Sequence, residues 1–225
     1  MSPRPRTVHD DAILDAAVQV LSRIGAAKMT LADVGSEVGL SAATLVQRFG
    51  SKRDMMLSVK KHVITHIQAR FDSAVAAHAS PLDALFAAAA DRPGPMDGHI
   101  TLANRMSFFF SQMDDPEFHA LAVQNRDSAI AGFRKLLDAA IEAGELTEGY
   151  IDTKQLAETI YSMQMGSLIT WAIANEGNVK TRVRQDLDTL LKPFRRGPRK
   201  ASGQAADRVT PKSVEALADT RSSAH

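Results

Sequence analysis

The chain has 225 residues, of which 44% are hydrophobic and 5% aromatic, with a net charge of +1 and no cysteine. That length and apolar content suffice for a substantial core in one or two domains, and the abundance of alanine, leucine and methionine favours helices over β-branched strands. The lack of cysteine excludes disulfides, thiolate zinc sites and cysteine nucleophiles, and the small net charge means that any nucleic-acid binding must rest on where the charges sit.

No apolar run approaches the ~20 residues of a membrane span, and the opening "MSPRPRTVHDD" lacks the apolar centre of a signal peptide. The expectation is an all-α cytoplasmic protein of about nine helices with no membrane partner. Residues 1–8 read as a flexible arm in which Arg4 and Arg6 could reach a minor groove. From Asp10 to Ile24, apolar residues at Ile13, Ala17, Val20, Leu21 and Ile24 form one helical stripe, ended by Gly25. Thr30 caps the next helix and Asp33 answers it, with Leu31, Val34 and Val38 as its inner face. Gly39 allows a tight turn, Ser41 caps a third short helix with Leu45 and Phe49 inward, and Ser51 with Asp54 opens a long helix carrying Met55, Val59, Val63, Ile67 and Phe71.

Longer helices follow. "SPLDALFAAAA" begins with a serine-proline opening and stops at the loop "DRPGPMDG". "HITLANRMSFFFSQM" is a further helix, and a long one after "DDPEF" places Ile130, Phe133, Leu137 and Ile141 in register. Asp152 caps a helix apolar around much of its circumference, which implies burial on several sides. In the last helix Val183, Leu187, Leu190 and Phe194 form a narrow seam suited to packing on another helix. Residues 196–225 read as a disordered tail with too few apolar residues to offset the entropy of ordering.

Three short helices with a glycine turn between the second and third, followed by a long one, follow the plan of a helix-turn-helix reader. The third helix would enter the major groove and present Ala42, Ala43, Thr44, Gln47 and Arg48. Gln47 can pair with adenine, Arg48 can reach guanine or phosphate, and Thr44 can touch a phosphate or a thymine methyl. Lys52, in the first turn of the long helix, is poorly placed for helix stability and well placed to grip phosphate, with Arg53 beside it.

Residues 9–57, with the frame "ILDAAVQVLSRIGAAKMTLADVGSEVGLS", Thr44 and Leu45, Phe49, and the pair Ser51 and Lys52, resemble the DNA-binding domain of the tetracycline-repressor (TetR) family. Val46 stands where the family usually has an aromatic residue, Gly35 where alanine is common, and Arg48 where an aromatic or histidine is frequent. The resemblance implies a homodimer with a divergent C-terminal domain that binds a small molecule and releases DNA. On that reading residues 9–50 bind DNA and residues 51–195 bind ligand and dimerise. The expected DNA-binding set is Thr30, Ser41, Ala42, Ala43, Thr44, Gln47, Arg48 and Lys52, on a double-stranded palindromic operator. The expected dimer interface is Val183, Leu187, Leu190 and Phe194, in the four-helix arrangement the resemblance implies.

Large soft side chains concentrate in the second half. Met106, Phe109, Phe110, Met113, Tyr161, Met163, Gln164 and Trp171, with Phe108 and Met165, are mostly core, yet such residues with a few amides (Asn104, Gln112, Asn125) also line adaptable apolar pockets. A small apolar or aromatic ligand is therefore expected, with no cofactor. His62 and His66, four apart, share a helical face as a metal pair would, but local spacing ties no carboxylate or third histidine to them, so a packed or solvated pair and no metal site is preferred. No phosphate loop, nucleophile elbow or HExxH is present, which argues against an enzyme. The alternatives are a helical carrier or partner-binding adaptor that keeps the head as a structural module, or a regulator acting as an activator.

Overall fold

The computed structural model describes residues 8–91, 98–111, 113–147 and 152–195. Among these, α1 (Asp10–Ile24), α2 (Leu31–Val38), α3 (Ala42–Phe49) and α4 (Lys52–Ala77) precede α5 (Pro81–Ala90), α6 (His99–Phe110), α7 (Pro116–Glu142), α8 (Thr153–Ala174) and α9 (Val179–Leu191). A 3-10 turn, Lys192–Phe194, follows α9. The all-α expectation holds. Arg4, Arg6, Gln112, most of the loop after Asp91 and the 196–225 tail lie outside the described residues. Among the described residues no helix is long and apolar enough to cross a membrane.

The short helices begin where side chains supply the missing hydrogen-bond partners of a helix start. Thr30 and Asp33 form a reciprocal capping box on α2, and Ser51 and Asp54 form another on α4. Ser41 accepts from the Thr44 backbone N–H to open α3, and Gly39 takes a left-handed φ of 70° between α2 and α3. Serine, aspartate and asparagine cap the later helices as well, at Ser80, Asp115, Asp152 and Asn178.

Two buried clusters organise the molecule. The first joins Ile13, Val20, Leu21, Met29, Val34 and Leu45 of the head to Met55, Met56 and Val59 of α4, and also to Phe108 of α6 and Phe118 of α7. The head is thus welded to the second half through α4, α6 and α7. The second cluster gathers α5, the lower part of α4, α7, α8 and α9. Where α4 meets α7, Gly132 lets the Phe71 ring lie so close that a methyl group there would fall 2.3 Å from it, and Phe71 and Phe133 meet edge to face at 5.2 Å.

The structure departs from the sequence reading of α4 at Val63. Met55, Val59, Ile67 and Phe71 are buried, but Val63 is exposed, because it stands at the mouth of two cavities instead of in the core.

The seam on α9 lies largely inside the single chain. Val183 is 2% exposed and Leu187 0%, both inside the protomer's own second cluster, where α9 packs on α8 and α5; Leu190 and Phe194 lie partly buried on the same cluster. Val183 and Leu187 are therefore core residues of the protomer itself. The apolar side chains left outward on this side belong to α8, with Ile169 and Ile173 exposed.

Candidate functional site

α3 presents a small, mostly uncharged face. Ser41, Ala43, Val46, Gln47 and Arg48 are exposed while Leu45 anchors the helix in the head core; Ala42 and Thr44 are half-buried. The Ser41 and Thr44 hydroxyls share a hydrogen bond of 2.9 Å at the helix start. Val46, 51% exposed, belongs to this face although sequence reasoning gave it no contact.

The cations around α3 bond within the chain itself. Arg48 donates to the Val8 carbonyl at 2.6 Å and pairs with Asp10 at 3.3 Å, fastening the chain entry to the end of α3. Lys52 donates to the Ala27 carbonyl at 3.2 Å, which lies in the turn before α2. The Thr30 hydroxyl donates to Asp33 at 2.7 Å and accepts from its backbone N–H, so its structural duty is the cap.

Arg53 lies in a strut: its guanidinium bonds Asp115 at 2.6 Å and Glu117 at 2.7 Å, at the start of α7. Hydrogen bonds donated to Glu117 and Asp115 hold the guanidinium pKa above its ordinary value, and accepting them holds the Asp115 carboxyl below its own. Spacing along one helix could not reveal partners more than sixty positions away.

A second link joins the two halves. The Asn104 amide of α6 donates to the carbonyls of Ser22 and Arg23 at 3.1 and 3.2 Å, in the last turn of α1. Asn104, expected near a ligand, is instead a cap for the reading head.

Between α4, α6 and α7 lies a cavity of about 70 Å³ lined by Lys60, Val63, Ile64, Arg105, Met106, Phe108, Phe109, Leu121, Ala122 and Asn125. A neighbouring cavity of about 40 Å³ shares Val63 and Asn125 and adds His66, Ile67, Arg70, Ala129, Tyr161 and Gln164. A larger groove of about 400 Å³ runs on past His66 and Arg70 to His78 and Asp91.

Of the expected ligand residues, Met106 and Phe109 line the first cavity, and Tyr161 and Gln164 the second. Gln164 is buried and donates to the Ala89 carbonyl, so its amide also ties α8 to α5. Phe110 and Met113 are exposed on the outside, Phe110 edge to face with Phe109. Met163 and Trp171 line none of these three spaces. Met163 packs on the second cluster with its sulfur against the Ser167 hydroxyl, and the Trp171 indole N–H donates to Gly177 at 3.2 Å, pinning the corner between α8 and α9.

Lys60 was missed by the sequence reading. Its signal was available: Met56, Lys60 and Ile64 are four apart, which puts a lysine on an apolar stripe. The histidine pair also gains a neighbour that sequence could not supply, since Asp15 of α1 bonds His62 at 2.8 Å, and His62, His66 and Asp15 offer ligand atoms within 4.8 Å of one another.

Residues 13–59 match the family model for bacterial regulatory proteins of the tetR family. No curated protein matches the sequence. Among solved structures, a TetR transcription regulator from Haloarcula marismortui superposes with a TM-score of 0.68 at 14% identity, over 82% of this chain and 96% of that one. A transcriptional regulator from Saccharomonospora viridis in complex with choline gives 0.64 at 20% identity, over 80% and 93%. The Bacillus subtilis regulator FadR in complex with stearoyl-CoA gives 0.62 at 17%, over 81% and 97%. At these identities the structural likeness is one of fold. Residues 13–59 thus carry the sequence pattern of a tetR-family DNA-binding domain, and the described helices as a whole share the fold of the TetR-family transcriptional regulators they superpose on.

Proposed function

We propose that the protein is a dimeric repressor that binds a palindromic operator through α3 of each copy and leaves it when a small, largely apolar ligand enters the cavity between α4, α6 and α7. The observation that carries this reading is the double duty of α6. Met106 and Phe109 form the cavity wall, while Asn104 on the same helix holds the last carbonyls of α1. A ligand that displaced α6 would therefore move the reading head, and α4 would follow through Arg53 and the start of α7.

On the DNA side, Gln47 reads a base, and Ser41, Ala42, Ala43 and Thr44 let the helix start approach the backbone. Lys52 exchanges its single carbonyl bond for a phosphate. Arg48 orients the chain entry toward the duplex through Val8 and Asp10. Dimerisation uses the outer face of α8, where Ser162, Gly166, Ile169 and Ile173 fall at one helical stripe and Gly166 leaves open space for close helix approach.

Ligand and DNA then compete through conformation: each weakens the other by the same factor, with a coupling of about 1–3 kcal/mol. The test is operator binding by fluorescence anisotropy across a salt series, alone and with hydrophobic or aromatic compounds. A steep loss of affinity with rising salt identifies the DNA-binding regulator, and a carrier or adaptor without operator function would show no such retention. Full occupancy of the cavity with unchanged operator affinity would remove the ligand-release reading.

A further inference from the structure

We propose that the α4/α6/α7 cavity selects a small amphipathic carboxylate, with Lys60 as the counter-ion for its anionic head and the Met106, Phe109 and Leu121 side chains around its apolar body. The inference rests on the ligand-release reading above and gives its largely apolar ligand an anionic head.

Lys60 is only 7% exposed. Its ammonium donates to the Phe109 carbonyl at 3.3 Å and lies 4.9 Å from the Phe108 ring and 5.2 Å from the Phe118 ring. An ammonium has three donors, and one long bond to a carbonyl with two ring faces compensates them incompletely. Among the described residues no carboxylate lies within ion-pair distance of it, and neither of the two adjoining cavities has an aspartate or glutamate in its wall. Burial pushes the Lys60 pKa down, the direction expected of a cation without a counter-charge.

The rest of the wall agrees in sign. Arg105 borders the same cavity, His66 and Arg70 border its neighbour, and Asn125 borders both. A cationic ligand would meet like charge, and a neutral one would leave a buried ammonium unpaired. An anion restores the missing half of the pair with charge-assisted hydrogen bonds. The cavities, about 70 and 40 Å³, are smaller than the ~150 Å³ that holds a benzene ring, so an acid with an apolar body enters by displacing the adaptable Met106 side chain and the α6 wall. A phosphate dianion demands more donors than this wall offers.

The test uses the full chain and three matched sets of probes: benzoate, phenylacetate and hexanoate, each beside its primary amide, which keeps the shape and removes the charge. Calorimetry should show at least one acid binding tenfold or more tighter than its amide. Lys60→Met, which replaces a buried charge by an apolar chain of similar length and so should fold, should lower affinity for that acid at least tenfold and leave the amide unchanged. NMR titration of the Lys60 side chain should show its pKa rising when the acid binds, which a merely structural lysine would not do. Amides binding as tightly as acids, no acid binding, or acids bound equally by Lys60→Met would each overturn the proposal. Operator retention measured on the same samples separates the two readings. An acid that binds through Lys60 without releasing DNA keeps the anion site and removes ligand release, whereas an amide that binds as tightly as its acid and releases DNA does the reverse.

Discussion

Leu187 and Ile173 sit one helix apart and should respond to substitution in opposite ways. Leu187 is 0% exposed and is surrounded by the protomer's own α5, α8 and α9, whereas Ile173 is 79% exposed on α8. Leu187→Ala deletes buried methyl and methylene groups from a packed site, and such truncations cost about 2–5 kcal/mol through lost transfer energy and the cavity left behind. Against a typical domain stability of about 5–15 kcal/mol, that is a large fraction. Ile173→Glu removes no internal contact of comparable kind, so the fold of the single chain should change by no more than about 0.5 kcal/mol. At a dimer face, however, it places a carboxylate against apolar surface, and association should fail. Urea denaturation at several protein concentrations, with sedimentation velocity under native conditions, measures both effects, since a dimer's apparent stability depends on concentration. Leu187→Ala should lower the midpoint with the slope unchanged and still sediment as a dimer in the absence of denaturant; Ile173→Glu should sediment as a folded monomer. A Leu187→Ala protein that is monomeric and fully stable would refute the assignment of α9's inner stripe to the core and return it to the interface.

At the reading head, Gln47→Ala should cost about 1–3 kcal/mol on the operator and relax preference at one base pair, whereas Lys52→Ala should weaken binding evenly on all sequences and flatten the salt dependence; competition assays with base-pair variants of the operator distinguish the two. Gly132→Ala would drive a methyl into the Phe71 ring, so thermal unfolding should show a loss of about 1–3 kcal/mol, mostly recovered when Phe71→Leu is added. Asp54 is held below its ordinary pKa by hydrogen bonds from the Ser51 hydroxyl and then the Ser51 backbone N–H. Its contribution is therefore complete above the unfolded carboxylate value of about 3.9 and is lost as pH falls through the lower folded value. Asp54→Asn should flatten the acid limb of the stability curve in that range, and an unchanged limb would exclude the carboxylate as its source.

The sequence by itself determined the features that depend on neighbours within a few positions. Thr30 with Asp33 and Ser51 with Asp54 announced two helix starts because a capping box is closed by residues three apart, and Gly39 announced the turn because only a left-handed φ fits there. The apolar period placed α1 to its observed ends, and the spacing of these short elements carried the family resemblance. What periodicity could not tell was the destination of a stripe. Val183 and Leu187 form a seam on α9 whether they face a second copy or the same chain, and only the packing of α9 on α5 and α8 decided for the chain itself. The site residues divided on the same line. Met106, Phe109, Tyr161 and Gln164 reached cavity walls while Trp171 and Met163 were spent on the α8 side of the core, a choice made by side-chain direction in three dimensions. Charges were the least legible, because Coulombic and hydrogen-bond partners are set by distance in space. Arg53 found Asp115 and Glu117, Arg48 found Val8 and Asp10, and Lys60 found two aromatic rings and a carbonyl, all across sequence separations that no local pattern records.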